Sequence, residues 1–248
     1  MTASTGFDTR TKYMTWRICA WGGPGFLIGL LVFWALLGKF VPPPPQYWTA
    51  DEVMAHFLND NIQIRIGMVG TLFFGPFLLL WSTVISRLLA RIEGPDGVLA
   101  TVELIGGIMT SVVIMLFGVV WLTASFRTEM RSPQDIQLLQ DVGWFLFDMT
   151  FIVTLFQLFA FGTTVLLDRS ASPLFPRWLG WFALFAAVTF LPELVMPFLM
   201  KGPFSWHGLI SFYVAIGPFF PWAVITCVYV FKAINRLELE ELAQAPRG

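Results

Sequence analysis

Residues 101–125 read TVELIGGIMTSVVIMLFGVVWLTAS, twenty-five positions with a single ionisable side chain, Glu103. At ~1.5 Å per residue a helix of this length reaches ~37 Å, more than the ~30 Å of hydrocarbon in a bilayer. The stretch therefore reads as a membrane-spanning helix. Five more stretches meet the same test: 16–39, 64–88, 142–167, 178–200 and 208–232. Charge and turn residues divide them, at Pro42 to Pro45, Glu93 to Gly97, Ser132-Pro133, Ser170 to Pro176 and Lys201-Gly202-Pro203.

Composition agrees. Of 248 residues 56% are hydrophobic and 12% are charged, against ~25% charged in soluble domains. The 26 Phe and 11 Trp exceed what a soluble core of this size absorbs, whereas a bilayer accepts such side chains on the outside of a bundle. The expected fold is all-α: a polytopic bundle of about six transmembrane helices, forming a single domain over residues 1–248. The first apolar stretch is longer than a signal peptide requires and reads as a retained anchor.

Orientation follows from the basic residues. If the N-terminus is inside, Arg10, Lys12, Arg17, Arg87, Arg91, Arg169, Arg177, Lys232, Arg236 and Arg247 are inside, and Lys39, Arg65, Arg127, Arg131 and Lys201 are outside. Ten against five predicts both termini in the cytoplasm, and a bacterial inner membrane is the expected location. A net charge of −1 offers no basic stripe for nucleic acid. Cys19 and Cys227 read as apolar helix residues near the inner face.

Outside the spans, Pro42 to Pro45 reads as a stiff polyproline spacer. Thr49-Ala50-Asp51-Glu52 fits a capping box, opening a short helix over about 49–60. Val53, Met54, Phe57 and Leu58 share one face of it, so an amphipathic helix on the outer interface is expected. Ser132, Pro133 and Asp135 predict that the fourth helix starts before the membrane; if it is continuous to Leu167, its first two turns project outward. Gly-Pro-Phe occurs at 75–77, 202–204 and 217–219, in no common register. The acidic run Glu238 to Glu241 reads as a solvated helical end.

An ionisable group inside a span needs a partner, a cavity or a task. Glu103 lies two residues into its span, where a side chain is expected to reach the inner headgroups. Asp148 lies deeper, and Gln137, Asp141, Trp144 and Asp148 share a helical face that could lead inward from water. Glu193 sits in Leu191-Pro192-Glu193-Leu194-Val195-Met196-Pro197, where two prolines remove helix hydrogen bonds at membrane depth. Such breaks survive where they are buried in protein or line a cavity. The expectation is that Asp148 and Glu193 face a shared outward-open pocket and act as its catalytic or binding acids. Arg65 is its expected counter-charge, with Asp141, Trp144, Tyr213 and His207 around its mouth. The competing reading is separate helix-to-helix bonds for the acids and interfacial charge for Arg65 and His207.

Walker A, Rossmann, HExxH, CxxC and GxSxG patterns are missing. No metal site or cofactor is expected from two histidines without nearby cysteines. Three functions fit. One is binding, transport or sensing of a lipophilic small molecule. Another is a membrane enzyme using carboxylate acid–base chemistry on an isoprenoid, steroid or lipid substrate. The last is a non-catalytic subunit of a larger membrane complex. Expected partners are membrane lipids, a lipophilic ligand, and a membrane protein or second copy of the chain.

Overall fold

The computed structural model describes residues 7–244 apart from Pro95; Arg247 and Pro95 lie outside the described residues. Among the described residues there are helices and no strands, and six helices are long and apolar enough to cross a membrane: Thr9–Leu37, Asn61–Glu93, Leu99–Ser125, Pro133–Leu167, Arg177–Phe198 and Leu209–Gln244. Between 39% and 50% of each apolar window is buried in the bundle. At least half of those apolar positions therefore face outward, which lipid tolerates and water does not.

Most of these spans are interrupted, and the local sequence explains where. The first consists of α1 (Thr9–Ala20), α2 (Gly22–Gly29) and a π-helical stretch, Leu30–Leu37. A short connecting helix, α3 (Ala50–Asn59), follows. The second span is α4 (Asn61–Phe74) and α5 (Phe77–Glu93), parted at Gly75-Pro76, where proline lacks the N–H that the helix needs. The third, α6 (Leu99–Ser125), is unbroken. The fourth is α7 (Pro133–Asp148) and α8 (Phe151–Leu167), interrupted at Met149-Thr150. There Thr150 Oγ donates back to the Leu146 carbonyl at 2.7 Å, a bond that bends helices. The fifth is α9 (Arg177–Thr189) followed by a 3-10 helix, Leu191–Phe198, imposed by Pro192 and Pro197. The sixth is a π-helical turn, Leu209–Val214, and α10 (Phe219–Gln244), with Gly217-Pro218 between them.

The continuous α6 is the axis of the bundle, packed against α4, α5, α7 and α8. Its free N-terminal amides are capped by Glu93, whose two carboxylate oxygens accept from the Leu99 and Ala100 amides, each at 2.9 Å. Close approach elsewhere relies on glycine. A Cβ on Gly67 of α4 would fall 2.7 Å from the Gly38 Cα, so these two backbones pack directly.

The start of the first span and the end of the sixth lie together at one end of the bundle, joined by polar bonds. Glu241 accepts from Lys12 Nζ at 2.6 Å and Tyr13 Oη at 2.8 Å, and Glu238 pairs with Arg17. The acidic run is thus tied to the first span rather than a free solvated end. At the opposite end Thr49 and Glu52 form the expected capping box, with Thr49 N–H donating to Glu52 at 2.8 Å. Val53 and Phe57 are the buried positions of α3, which packs on α7, while Leu58 is 38% exposed. Ser132, Pro133 and Asp135 start α7 as the sequence requires.

Candidate functional site

The breaks in the fourth, fifth and sixth spans border one cavity. Thr150 from the first of these breaks, Phe190 and Glu193 from the next and Ile216 from the last line it, with Leu30 and Trp34 of the π-helical stretch opposite and Thr110 and Phe117 of α6 as its continuous wall. Its volume is about 80 Å³, room for several waters. Eight of its seventeen lining residues are aromatic. Irregular backbone at membrane depth is tolerated where it is enclosed by protein or lines a cavity, and these breaks do so together.

Glu193, only 2% exposed, reaches this cavity from the 3-10 helix. Asp148, 1% exposed, ends α7 between the lining residues Phe147 and Thr150, and its charge is the one that bears on Glu193. Of the two sequence-selected acids, Glu193 thus lines the cavity and Asp148 adjoins its lining residues in the chain. Both Asp148 oxygens and Glu193 Oε2 are buried without a hydrogen-bond partner, and neither acid enters an ion pair among the described residues. Buried polar atoms are ordinarily satisfied, so the unsatisfied Glu193 oxygen at this cavity points to an occupant.

The remaining expected residues are placed differently. Arg65 lies over the Phe126 ring at 5.3 Å and borders a separate apolar groove with Phe33, Val69 and Phe74, so it is not the counter-charge. The face expected to lead inward from water is closed. Gln137 donates to the Trp48 carbonyl at 3.1 Å, and Asp141 is half-buried two turns from Asp148. Trp144 is fully buried and stacks on Trp206 with ring centroids 5.7 Å apart. Trp121, 5.3 Å from Trp144, carries Phe40 stacked at 3.9 Å, so a plug of rings separates the acids from the α3 end. The outward-open pocket is therefore not formed.

His207 belongs to a clamp above this plug. Its Nδ1 accepts from the Gln46 amide at 3.0 Å, and Gln46 Oε1 accepts from the Trp206 amide at 3.1 Å. Trp206 Nε1 donates to the Pro44 carbonyl at 2.8 Å, so the proline-rich segment is packed onto the 199–208 turn rather than spacing it. Burial holds the His207 imidazole below the ordinary histidine value, and burial does the same to His56 in α3.

The opening lies to the side. A groove of about 220 Å³ between the π-helical parts of the first and sixth spans shares Leu30, Trp34, Ile216 and Phe220 with the cavity. Tyr213, 45% exposed, and Leu31, 58% exposed, stand at its outer edge. Tyr213 is thus near the site, though at a lateral mouth. π-Helical segments are rare and recur at functional sites, and two of them flank this groove.

Sequence reasoning missed two sets of polar residues. Thr110 and Thr154 line the cavity with their hydroxyls 3.0 Å apart. Deeper toward the termini, Gln157 Nε2 donates to Ser82 at 2.9 Å and to Glu103 at 3.1 Å, joining α5, α6 and α8. Glu103 is fully buried, so it does not reach the headgroups. A lone glutamine in mid-span was the available signal for this cluster. No known protein family, no curated protein and no solved structure matches this chain.

Proposed function

We propose that the protein binds and handles, by transport or sensing, a lipophilic small molecule that moves from the bilayer through the lateral groove to the cavity at Glu193 and Asp148. The observation that carries this reading is the convergence of the span breaks on one aromatic-walled cavity that holds the unsatisfied Glu193 carboxyl and adjoins a groove on the side of the bundle. Ligand pockets are mostly apolar with a few placed polar groups, and this arrangement has that character. Magnitude limits the ligand. A cavity of about 80 Å³ holds no steroid, but with the adjoining 220 Å³ groove it reaches the ~300 Å³ at which small-ligand pockets begin. We place the end of the bundle that holds Glu238 to Glu241 on the cytoplasmic side of a bacterial inner membrane, because ten basic residues against five fall to it in the sequence, and Lys12, Arg17, Arg91, Arg169 and Arg236 gather around that acidic run. The same reading sets α3 on the outer interface.

Photolabelling tests the pocket. Protein in lipid nanodiscs is irradiated with a small trifluoromethyl-phenyl-diazirine and the adducts are mapped by mass spectrometry. Adducts are expected on Thr150, Thr154 and Glu193 as well as on lipid-facing residues. Ile216→Trp, which fills the mouth shared by groove and cavity, should remove the interior adducts and keep the surface ones. Interior residues left unlabelled in the unaltered protein would overturn the proposal.

A further inference from the structure

The chemistry of the pocket wall narrows the ligand class, resting on the lateral-pocket reading above. We infer that the occupant is a small lipophilic monocation, an amine or quaternary ammonium, taken up in exchange for a proton of the Asp148–Glu193 pair.

The threonine donors around the cavity are already committed, and Trp34 Nε1 is a buried N–H left without a partner. Thr150 donates to the Leu146 carbonyl, and Thr110 Oγ lies 2.9 Å from the Gly106 carbonyl and 3.0 Å from Thr154 Oγ. Among the described residues, the cavity lining includes no positively charged side chain. The lining residues contributed by the first span, α6, α7, α8, the 3-10 helix and the sixth span include Glu193 as their one titratable group, and Asp148 stands beside it. An anion would meet two acids and no cation. A neutral hydrocarbon would give no use to two carboxyls that are costly to place inside a membrane. A cation satisfies both halves of the wall. Its charge meets the orphaned carboxyl oxygens, and its alkyl or aryl shell meets ring faces whose quadrupole attracts positive charge, such as Trp34, Phe117 and Phe147.

The exchange balances in charge and atoms. A pair carrying two protons releases one to water as one monocation binds, leaving a carboxylate beside the ligand and one protonated partner. No bond in the ligand is made or broken. Since binding releases a proton, apparent affinity rises with pH, and the groups responsible are Asp148 and Glu193 alone.

Two isosteric probes isolate charge from shape: benzyltrimethylammonium and its neutral carbon analogue neopentylbenzene. Each is tested for protection of Thr150, Thr154 and Glu193 from the diazirine in nanodiscs, with a pH-indicator dye reporting proton release. The ammonium should protect and release protons, whereas neopentylbenzene should protect weakly and release none. Asp148→Asn and Glu193→Gln should each weaken protection by the ammonium at least tenfold while diazirine labelling persists; circular dichroism and size exclusion check that both variants fold. Because Glu193→Gln alters a labelled residue, Thr150 and Thr154 are read in that variant. Equal protection by the two probes, or ammonium protection that survives Asp148→Asn/Glu193→Gln, would refute the cation inference and leave the lateral pocket standing. Absence of interior labelling would instead remove the pocket itself.

Discussion

Gln157→Leu is expected to destabilise the bundle by about 2–4 kcal/mol, and a second apolar change should restore most of that loss. In the native protein Gln157 Nε2 donates to Ser82 at 2.9 Å and to Glu103 at 3.1 Å, within a fully buried seam of α5, α6 and α8. Interhelical hydrogen bonds in membranes average ~0.6 kcal/mol, so the two lost bonds account for roughly 1 kcal/mol. The larger part comes from Glu103, whose Oε2 already lacks a partner and whose Oε1 would lose its donor. Stranding a buried polar group costs ~1–3 kcal/mol. Glu103→Leu removes that orphan, leaves Gln157 bonded to Ser82, and should cost about 1 kcal/mol or less. Glu103→Leu/Gln157→Leu replaces both partners by apolar groups of similar size, a change that is nearly neutral where it removes stranded polar atoms. It should lie within ~1 kcal/mol of the unaltered protein, giving a favourable coupling of about 1–3 kcal/mol. Unfolding in dodecyl sulfate mixed micelles, followed by circular dichroism, measures all four proteins. Additive single losses, or Gln157→Leu as stable as the parent, would sink the reasoning.

Three further outcomes are expected. Gln46→Ala removes the acceptor of the buried Trp206 amide and should lower thermal stability by about 1–3 kcal/mol, with faster amide exchange confined to residues 199–208. His207 is neutral in the fold and its pKa is lowered, so its contribution is complete above the free-histidine value of 6.5 and falls away as pH drops toward the lowered value. Acidification should therefore loosen the Gln46 contact, seen as increased exchange at the Gln46 amide, and His207→Phe should abolish that pH step. The Glu52 carboxyl is held below its usual value by its Thr49 bonds, so the cap of α3 is intact above pH 4.5 and weakens as pH falls through the lowered value. Exchange at residues 50–53 should rise with acid, and Thr49→Ala should raise it at neutral pH with little further effect of acid.

The spans, the caps and the two acids were legible in the amino-acid order itself. Twenty or more apolar residues admit few alternatives to a spanning helix, and Thr49–Glu52 and Ser132–Asp135 are bonds between near neighbours in the chain. Pro192 and Pro197 likewise act on their own helix, so a broken fifth span around Glu193 could be read directly. The contacts of Glu238 and Glu241 could not be read, because their partners Arg17, Lys12 and Tyr13 lie more than two hundred residues away.

The pocket's opening was hidden for the same reason. Position along each span set Asp148 and Glu193 at a similar level, but level says nothing of rotation about the bundle axis. The outward mouth was expected because Trp144 shares a face with Asp148, yet Trp206, Trp121 and Phe40 arrive from three distant segments and fill that space. The lateral groove, in turn, exists only where Leu30–Leu37 and Leu209–Val214 meet as π-helical neighbours. By itself the sequence determined six apolar helices, their caps and the break around Glu193, since hydropathy and hydrogen bonding along one helix are local. Only the tertiary structure decided which faces met, because packing joins side chains whose separation in the chain carries no signal.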